Sequence, residues 1–144
     1  MLEIHFVQPG WPEHEQALEL RAQAFFVDHG GRNAAEERDR PGADHAVVTS
    51  GDEVIACGQG HIASGAYHIS QMAVREDRRG EGFGTMVLVA LLERAEEHGF
   101  TTVRLEARST AVDFYSHHGF VATTGARPIG DTGFPHVAME RTTG

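Results

Sequence analysis

The period of the apolar residues changes several times along the first half of the chain. Residues 2–7 alternate as in an edge strand, and residues 13–26 have the apolar spacing of a helix. Strand-like runs follow at 45–49, 54–61 and 69–74, with glycine-containing polar turns between them. The pattern therefore predicts three antiparallel strands after the first helix.

The second half alternates a helix with further strands. Val87, Leu88 and Leu91 fall on one face of a helical pattern at 85–98, and Gly99 is suited to end that helix. A strand-like run follows at 101–107. Residues 28–44 lack a period and are predicted to form a loop.

A basic, glycine-rich turn lies between the strand at 69–74 and the helix that follows it. Glycine allows positive φ and a close approach of ligand to backbone, and a helix N-terminus adds unpaired N–H groups that favour phosphate. Arg75 and Arg78 add positive charge. The turn itself reads Arg79, Gly80, Glu81, Gly82, Phe83, Gly84 and Thr85. It is predicted to bind a pyrophosphate.

Two other phosphate-binding motifs fit these residues poorly. The Walker motif requires a lysine before the Ser or Thr, and Gly84 stands there instead. The dinucleotide fingerprint requires glycine where Thr85 stands, although Glu106 resembles its ribose-binding acid. A nicotinamide-nucleotide oxidoreductase is therefore kept as one alternative function.

The same segment resembles motif A of the GNAT superfamily of N-acetyltransferases, Gln/Arg-x-x-Gly-x-Gly/Ala between a strand and a helix. The resemblance implies an α/β (α+β) fold with a mixed sheet of about six to seven strands, flanking helices and a splay at an acetyl-CoA site. It assigns Met72, Ala73 and Val74 to the pantetheine and thioester. It assigns residues 79–85 to the pyrophosphate.

Residues 111–120 resemble motif B of that superfamily through the tract Ala-x-x-Phe-Tyr-x-x-x-Gly-Phe. In the family the tyrosine protonates the departing CoA thiolate, a role that falls on Tyr115. Arg108 occupies a position where asparagine or glutamine is common, and we expect it to meet a CoA phosphate instead. The run at 133–139 is similar to the ending of a small-acetyltransferase branch.

Amine acetylation also requires a group that accepts a proton. Glu106, late on the strand beside the cofactor, and His136, in the closing strand, are both candidates. The weaker candidates in the acceptor pocket are Gln71, His61, Glu37 and Asp39.

Composition limits the partners of the chain. A single domain over residues 1–144 is expected, without a membrane span or a signal peptide, and therefore in the cytoplasm. The net charge of −9 argues against nucleic acid and suits a cationic or amine substrate. The histidines lack metal-ligand spacing, so no metal is expected, and Cys57 is interpreted as a core residue.

The predicted activity is transfer of acetyl from acetyl-CoA to an amine acceptor, by direct attack of the amine on the thioester. The acceptor is a small molecule or a protein amine, and the resemblance allows a homodimer. The alternative is a catalytically silent CoA-binding regulatory module with the same fold.

Overall fold

The computed structural model describes residues 1–128 and 134–143. The helices are α1 (Pro12–Phe25), α2 (Gly31–Glu37), α3 (Phe83–Glu97) and α4 (Val112–His117). The strands are β1 (Leu2–Val7), β2 (Asp44–Ser50), β3 (Glu53–Ala63), β4 (Ala66–Val74), β5 (Thr102–Arg108), β6 (Val121–Ala122), β7 (Arg127–Pro128) and β8 (Pro135–Thr142).

All the strands of the described part belong to one mixed sheet. Its order is β1-β2-β3-β4-β5-β8-β6, with β7 also paired to β8. The pair β4–β5 is parallel, whereas the other pairs are antiparallel. The predicted fold class is confirmed, and the eight strands exceed the predicted number because β6 and β7 have two residues each.

The sheet splays between β4 and β5. Their pairing ends at Ile69 and Leu105, although β4 continues to Val74 and β5 to Arg108. In the same stretch the register of β3 and β4 shifts, so that two residues of β4, Gln71 and Met72, lie opposite Gly58. A β-bulge of this kind bends a strand away from its neighbour. The splay predicted from the family resemblance is therefore present.

The core lies on both faces of the sheet because successive residues of β2 point to opposite faces. Ala46 and Val48 pack with Leu88 and Leu91 of α3, whereas Val47 packs in the cluster that contains α1. Cys57 is buried in that second cluster, as predicted, and burial raises the pKa of its thiol.

The prediction of a loop over residues 28–44 is wrong in part, because α2 lies there. This short helix buries Ala35 against Leu18, Ala22 and Phe26, so tertiary packing stabilises a segment with no helical pattern of its own. Helix α3 begins at Phe83, two residues before the predicted start, with Gly82 as its N-cap. Gly133 of the predicted closing run lies outside the described residues. Among the described helices, none has the length and apolar character needed to cross a membrane.

Candidate functional site

The N-terminus of α3 and the turn before it form an open cradle. Gly80 and Gly82 have φ of 81° and 88°, a region that favours glycine. A Cβ added to either would meet no heavy atom within 4 Å, so the space beside the backbone is free for a ligand. The first N–H groups of α3 have no partner within the helix and attract an anion.

The charge at the cradle comes from one arginine of the three predicted. Arg75 pairs with Glu53 and Asp77, and Arg78 pairs with Glu81 at 3.1 Å. Arg79 instead donates weakly from Nε to the backbone oxygen of Val74 at 3.4 Å and forms no ion pair within the described residues. Arg79 therefore keeps its full charge for an anion.

A cavity of about 570 Å³ extends from this turn along the end of β4. We call it the cradle cavity. Glu81 is the predicted cofactor residue that does not line it; its carboxylate pairs with Arg78. The predicted residues that do line it are Met72, Ala73, Val74, Arg79, Gly80, Gly82, Phe83, Gly84, Thr85 and Arg108.

A second cavity of about 700 Å³ lies where β4 and β5 diverge. We call it the splay cavity. It is lined by both predicted proton acceptors, Glu106 and His136, and by the weaker candidates His61 and Gln71. Glu37 is exposed and does not line it. The splay thus brings together residues from β3, β4, β5 and β8.

Tyr115 lies where the two cavities meet, since it lines both of them. Its side chain contacts the rings of Phe114 and Phe120, with centroid distances of 5.0 and 5.8 Å. Burial raises the pKa of the phenol, so the hydroxyl stays protonated at neutral pH and can act as a donor.

Arg108 lies at the same junction and also lines both cavities. Its guanidinium carbon is 5.0 Å from the ring centroid of Phe25 and 4.4 Å from that of Phe134, which positions the charge by cation–π contact. Burial and the charge of Arg79 lower the pKa of Arg108. No carboxylate of the described residues pairs with Arg108 to offset this effect. Arg108 therefore faces the junction with an uncompensated charge.

The two candidate bases differ in what they already bind. Glu106 accepts a hydrogen bond from Arg127 Nη2 at 2.8 Å. His136 Nδ1 lies 2.7 Å from the backbone oxygen of Phe134. Because a carbonyl oxygen only accepts, Nδ1 must carry the hydrogen, which leaves the lone pair of a neutral imidazole on Nε2.

Two arginines that the sequence pattern did not indicate, Arg38 and Arg40, line the splay cavity from the segment after α2. Gln59, fully buried on β3, fixes that segment by accepting from the Arg40 N–H at 2.9 Å and donating to the Arg38 oxygen at 3.1 Å. Both arginines belong to a charged run that resembles any solvated loop. The sequence gives no signal for their position, because the residue that holds them in place, Gln59, is distant along the chain.

Asp39, a weaker pocket candidate, turns inward instead. It pairs with the buried Arg21 and, at 2.9 Å, with His14 Nε2. His14, Asp39 and His45 have potential metal-ligand atoms within 4.8 Å of one another. The guanidinium of Arg21 contacts both Asp39 and His45 Nδ1, and its positive charge opposes a cation there. We interpret the cluster as a buried ion network.

The splayed mixed sheet, the glycine cradle at a helix N-terminus and the buried tyrosine between two cavities define a protein of the acetyltransferase class. Residues 13–143 match the family described as the acetyltransferase (GNAT) domain, and the chain belongs to that family.

Relatives agree with this assignment. The chain is 28% identical over 119 residues to the uncharacterized N-acetyltransferase YjcF of Bacillus subtilis, covering 81% of this chain and 84% of the relative. It is similar to the crystal structure of a putative N-acetyltransferase from Lactobacillus plantarum, with a TM-score of 0.76, 28% identity and coverage of 98% and 97%. It shares its fold with an aminoglycoside 6'-N-acetyltransferase complexed with coenzyme A, with a TM-score of 0.79, 16% identity and coverage of 97% and 96%.

Proposed function

We propose that this protein is an acetyl-CoA-dependent N-acetyltransferase that transfers acetyl to an amine by direct attack. The observation that carries the proposal is the position of Tyr115, a buried proton donor at the meeting point of a phosphate-binding cavity and a larger cavity in the splay. Two substrates held in adjoining cavities react with little loss of entropy at the reaction step.

The cradle fits the phosphates of CoA on three grounds. The space beside Gly80 and Gly82 is open, α3 begins at this turn, and Arg79 forms no ion pair within the described residues. Met72, Ala73 and Val74 line the route from the cradle to the junction. When bound, acetyl-CoA supplies an activated acetyl thioester.

The chain's own residues supply orientation and proton movement. The edge of β4 beyond Ile69 does not pair with β5, so backbone groups near Met72 can bind the pantetheine arm and polarise the thioester carbonyl. Tyr115 donates a proton to sulfur. His136 accepts the proton of the amine at Nε2, and Glu106 is the second candidate for that role.

The acceptor is proposed to be a small-molecule amine, since the splay cavity of about 700 Å³ has the size of a small-molecule site. A protein amine is the other proposed acceptor class. We propose the cytoplasm as the location. A homodimer also remains a proposal.

The cofactor site is tested by calorimetry of acetyl-CoA with the unmodified protein, Gly82→Glu and Gly99→Glu. Gly82 and Gly99 both have positive φ and open space at the Cβ position, but Gly99 lies beyond the opposite end of α3. We expect binding to be lost in Gly82→Glu alone. Absence of binding by the folded unmodified protein would overturn the proposal.

Acetyl transfer is then measured with a panel of amines. Transfer to any amine supports the enzyme. Tight CoA binding without transfer to any amine, including peptide N-termini, would favour the regulatory module. Binding of NAD without competition by CoA would favour the oxidoreductase.

A further inference from the structure

The uncompensated positive charge of this protein gathers around the two cavities. All 12 of its basic side chains are arginines. Those that pair with a carboxylate are Arg21, Arg32, Arg75, Arg78, Arg94, Arg104 and Arg127. Those without an ion pair in the described part of the chain are Arg38, Arg40, Arg79, Arg108 and Arg141. Every one of these except Arg141 lines a cavity.

Three of these arginines line the splay cavity: Arg38, Arg40 and Arg108. The described acidic residues that line the same cavity are already engaged. Glu140 pairs with Arg104 at 2.9 Å, and Glu106 pairs with Arg127. The described lining of the cavity is therefore positively charged although the whole chain has a net charge of −9. Charge of this sign attracts an anion and repels a polycation.

Arg38 and Arg40 are held at the cavity by the residues around them. Gln59 binds the backbone on both sides of Asp39 and also donates to Ser70 Oγ at 3.0 Å. Asp39 turns away into the ion pair with Arg21, so it does not neutralise its two neighbours. A backbone fixed in this way lowers the entropy cost of binding a ligand.

The chemistry of arginine narrows the ligand class. A guanidinium presents several N–H donors in a planar fork that matches phosphate and carboxylate oxygens. We propose that the acceptor amine carries a phosphate or carboxylate group that Arg38 and Arg40 bind, while its amino group lies toward Tyr115. This inference rests on the proposed function and names the substrate class of the same site.

The test compares amines that carry the anionic group with amines that lack it, and each rate is expressed per unprotonated amine because the anionic group also raises the pKa of the amino group. The pairs are phosphoethanolamine with ethanolamine and glycine with glycinamide, and the release of CoA thiol measures transfer. We expect the anionic member of at least one pair to have the higher kcat/KM by about tenfold or more, which is the effect of one charge-assisted hydrogen bond. The same four amines are titrated calorimetrically into the CoA-saturated protein.

The variants are Arg38→Gln, Arg40→Gln and the double substitution, with Arg32→Gln as the matched control. Arg32 lies on α2 just before this segment, pairs with Glu15 and Glu36, and lines neither cavity. Each cavity variant should reduce the preference for the anionic amine by about tenfold. The control should keep the preference, and every variant should keep its affinity for acetyl-CoA.

The outcomes separate this inference from the proposed function. The inference is overturned, and the proposed function is not, if the amine without the anionic group has an equal or higher kcat/KM in both pairs. The same holds if the double variant keeps the preference for the anionic amine. If the protein binds acetyl-CoA but acetylates neither pair, the calorimetric titrations of the four amines test the inference. Binding of an anionic amine that the double variant loses supports the inference, and weak or charge-independent binding overturns it. Loss of acetyl-CoA binding in the unmodified protein instead refutes the proposed function.

Discussion

Gln59 Oε1 accepts the backbone N–H of Arg40 at 2.9 Å, joining the central strand β3 to the segment that lines the splay cavity. Gln59 is fully buried, so its amide has no water to replace this partner. The contact explains how a polar side chain inside the sheet positions charge at the candidate acceptor site. It also makes the segment after α2 sensitive to a residue far away in sequence.

Replacing Gln59 with leucine should therefore affect both stability and the acceptor site. We expect a loss of about 1–3 kcal/mol in the free energy of unfolding, because the Arg40 N–H and Arg38 carbonyl lose their partner. KM for the acceptor should rise while the Kd for acetyl-CoA stays constant. Gln16→Leu is the control, since Gln16 also bonds two backbone groups but at the β2–β3 turn. An equal rise in the KM for the acceptor in both variants would contradict the role of Gln59 in positioning the segment after α2.

Tyr115→Phe should reduce kcat about 10- to 100-fold with little change in the Kd for acetyl-CoA. The hydroxyl is expected to act on the leaving thiolate, and a thiolate of moderate basicity requires only modest acid assistance. Single-turnover kinetics and calorimetry measure the two quantities separately. The other tyrosine offers a matched control: Tyr67 donates to Asp44 at 2.7 Å and lines neither cavity. Tyr67→Phe should therefore lose stability but keep its rate.

His136→Asn should reduce kcat/KM more than Glu106→Gln. The carbonyl of Phe134 fixes the hydrogen of His136 on Nδ1, which leaves Nε2 to accept a proton, whereas Arg127 already engages Glu106. We expect a loss of about 100-fold for the histidine variant, typical of a missing general base. If Glu106→Gln loses more kcat/KM than His136→Asn at the same pH, Glu106 is the general base instead of His136.

Gly60→Ala should destabilise the fold strongly. A Cβ at residue 60 would lie 2.0 Å from the hydroxyl oxygen of Tyr67 and 2.3 Å from its Cζ, and that ring is fully buried. Overpacking of this severity costs about 3 kcal/mol. Denaturant titration should show a much smaller loss in Gly125→Ala, where the added methyl meets open space and the backbone φ is not positive. Similar midpoints for the two variants would show that the Tyr67 ring moves aside at little cost.

Stability should fall as the pH falls from about 6.5 to about 4. Burial and the charge of Arg21 lower the pKa of His45 to about 4, while an unfolded histidine titrates near 6.5. Between these values the unfolded chain binds the additional proton, so acid favours unfolding over this range. The free energy of unfolding measured across this range should vary less in His45→Asn than in the exposed control His29→Asn. An unchanged slope in His45→Asn would assign the acid sensitivity to other groups.

The sequence determined the features that depend on local pattern. Apolar periodicity located the strands β1 to β5 and the helices α1 and α3 within a few residues, because each must bury one face. The cradle also followed from sequence, since Gly80 and Gly82 and a helix start are local features. Tyr115 was predicted from its motif, and in the fold it lies at the junction of the two cavities.

Only the tertiary structure decided which charges are free. Arg75 sits beside the cradle in sequence but pairs with Glu53 of β3, whereas Arg38 and Arg40 carry no such partner among the described residues. Helix α2 and the bond from Gln59 likewise depend on contacts between segments far apart in the chain. Ion pairs and buried hydrogen bonds form between neighbours in space, so a linear pattern gives the sign of a charge but not its partner.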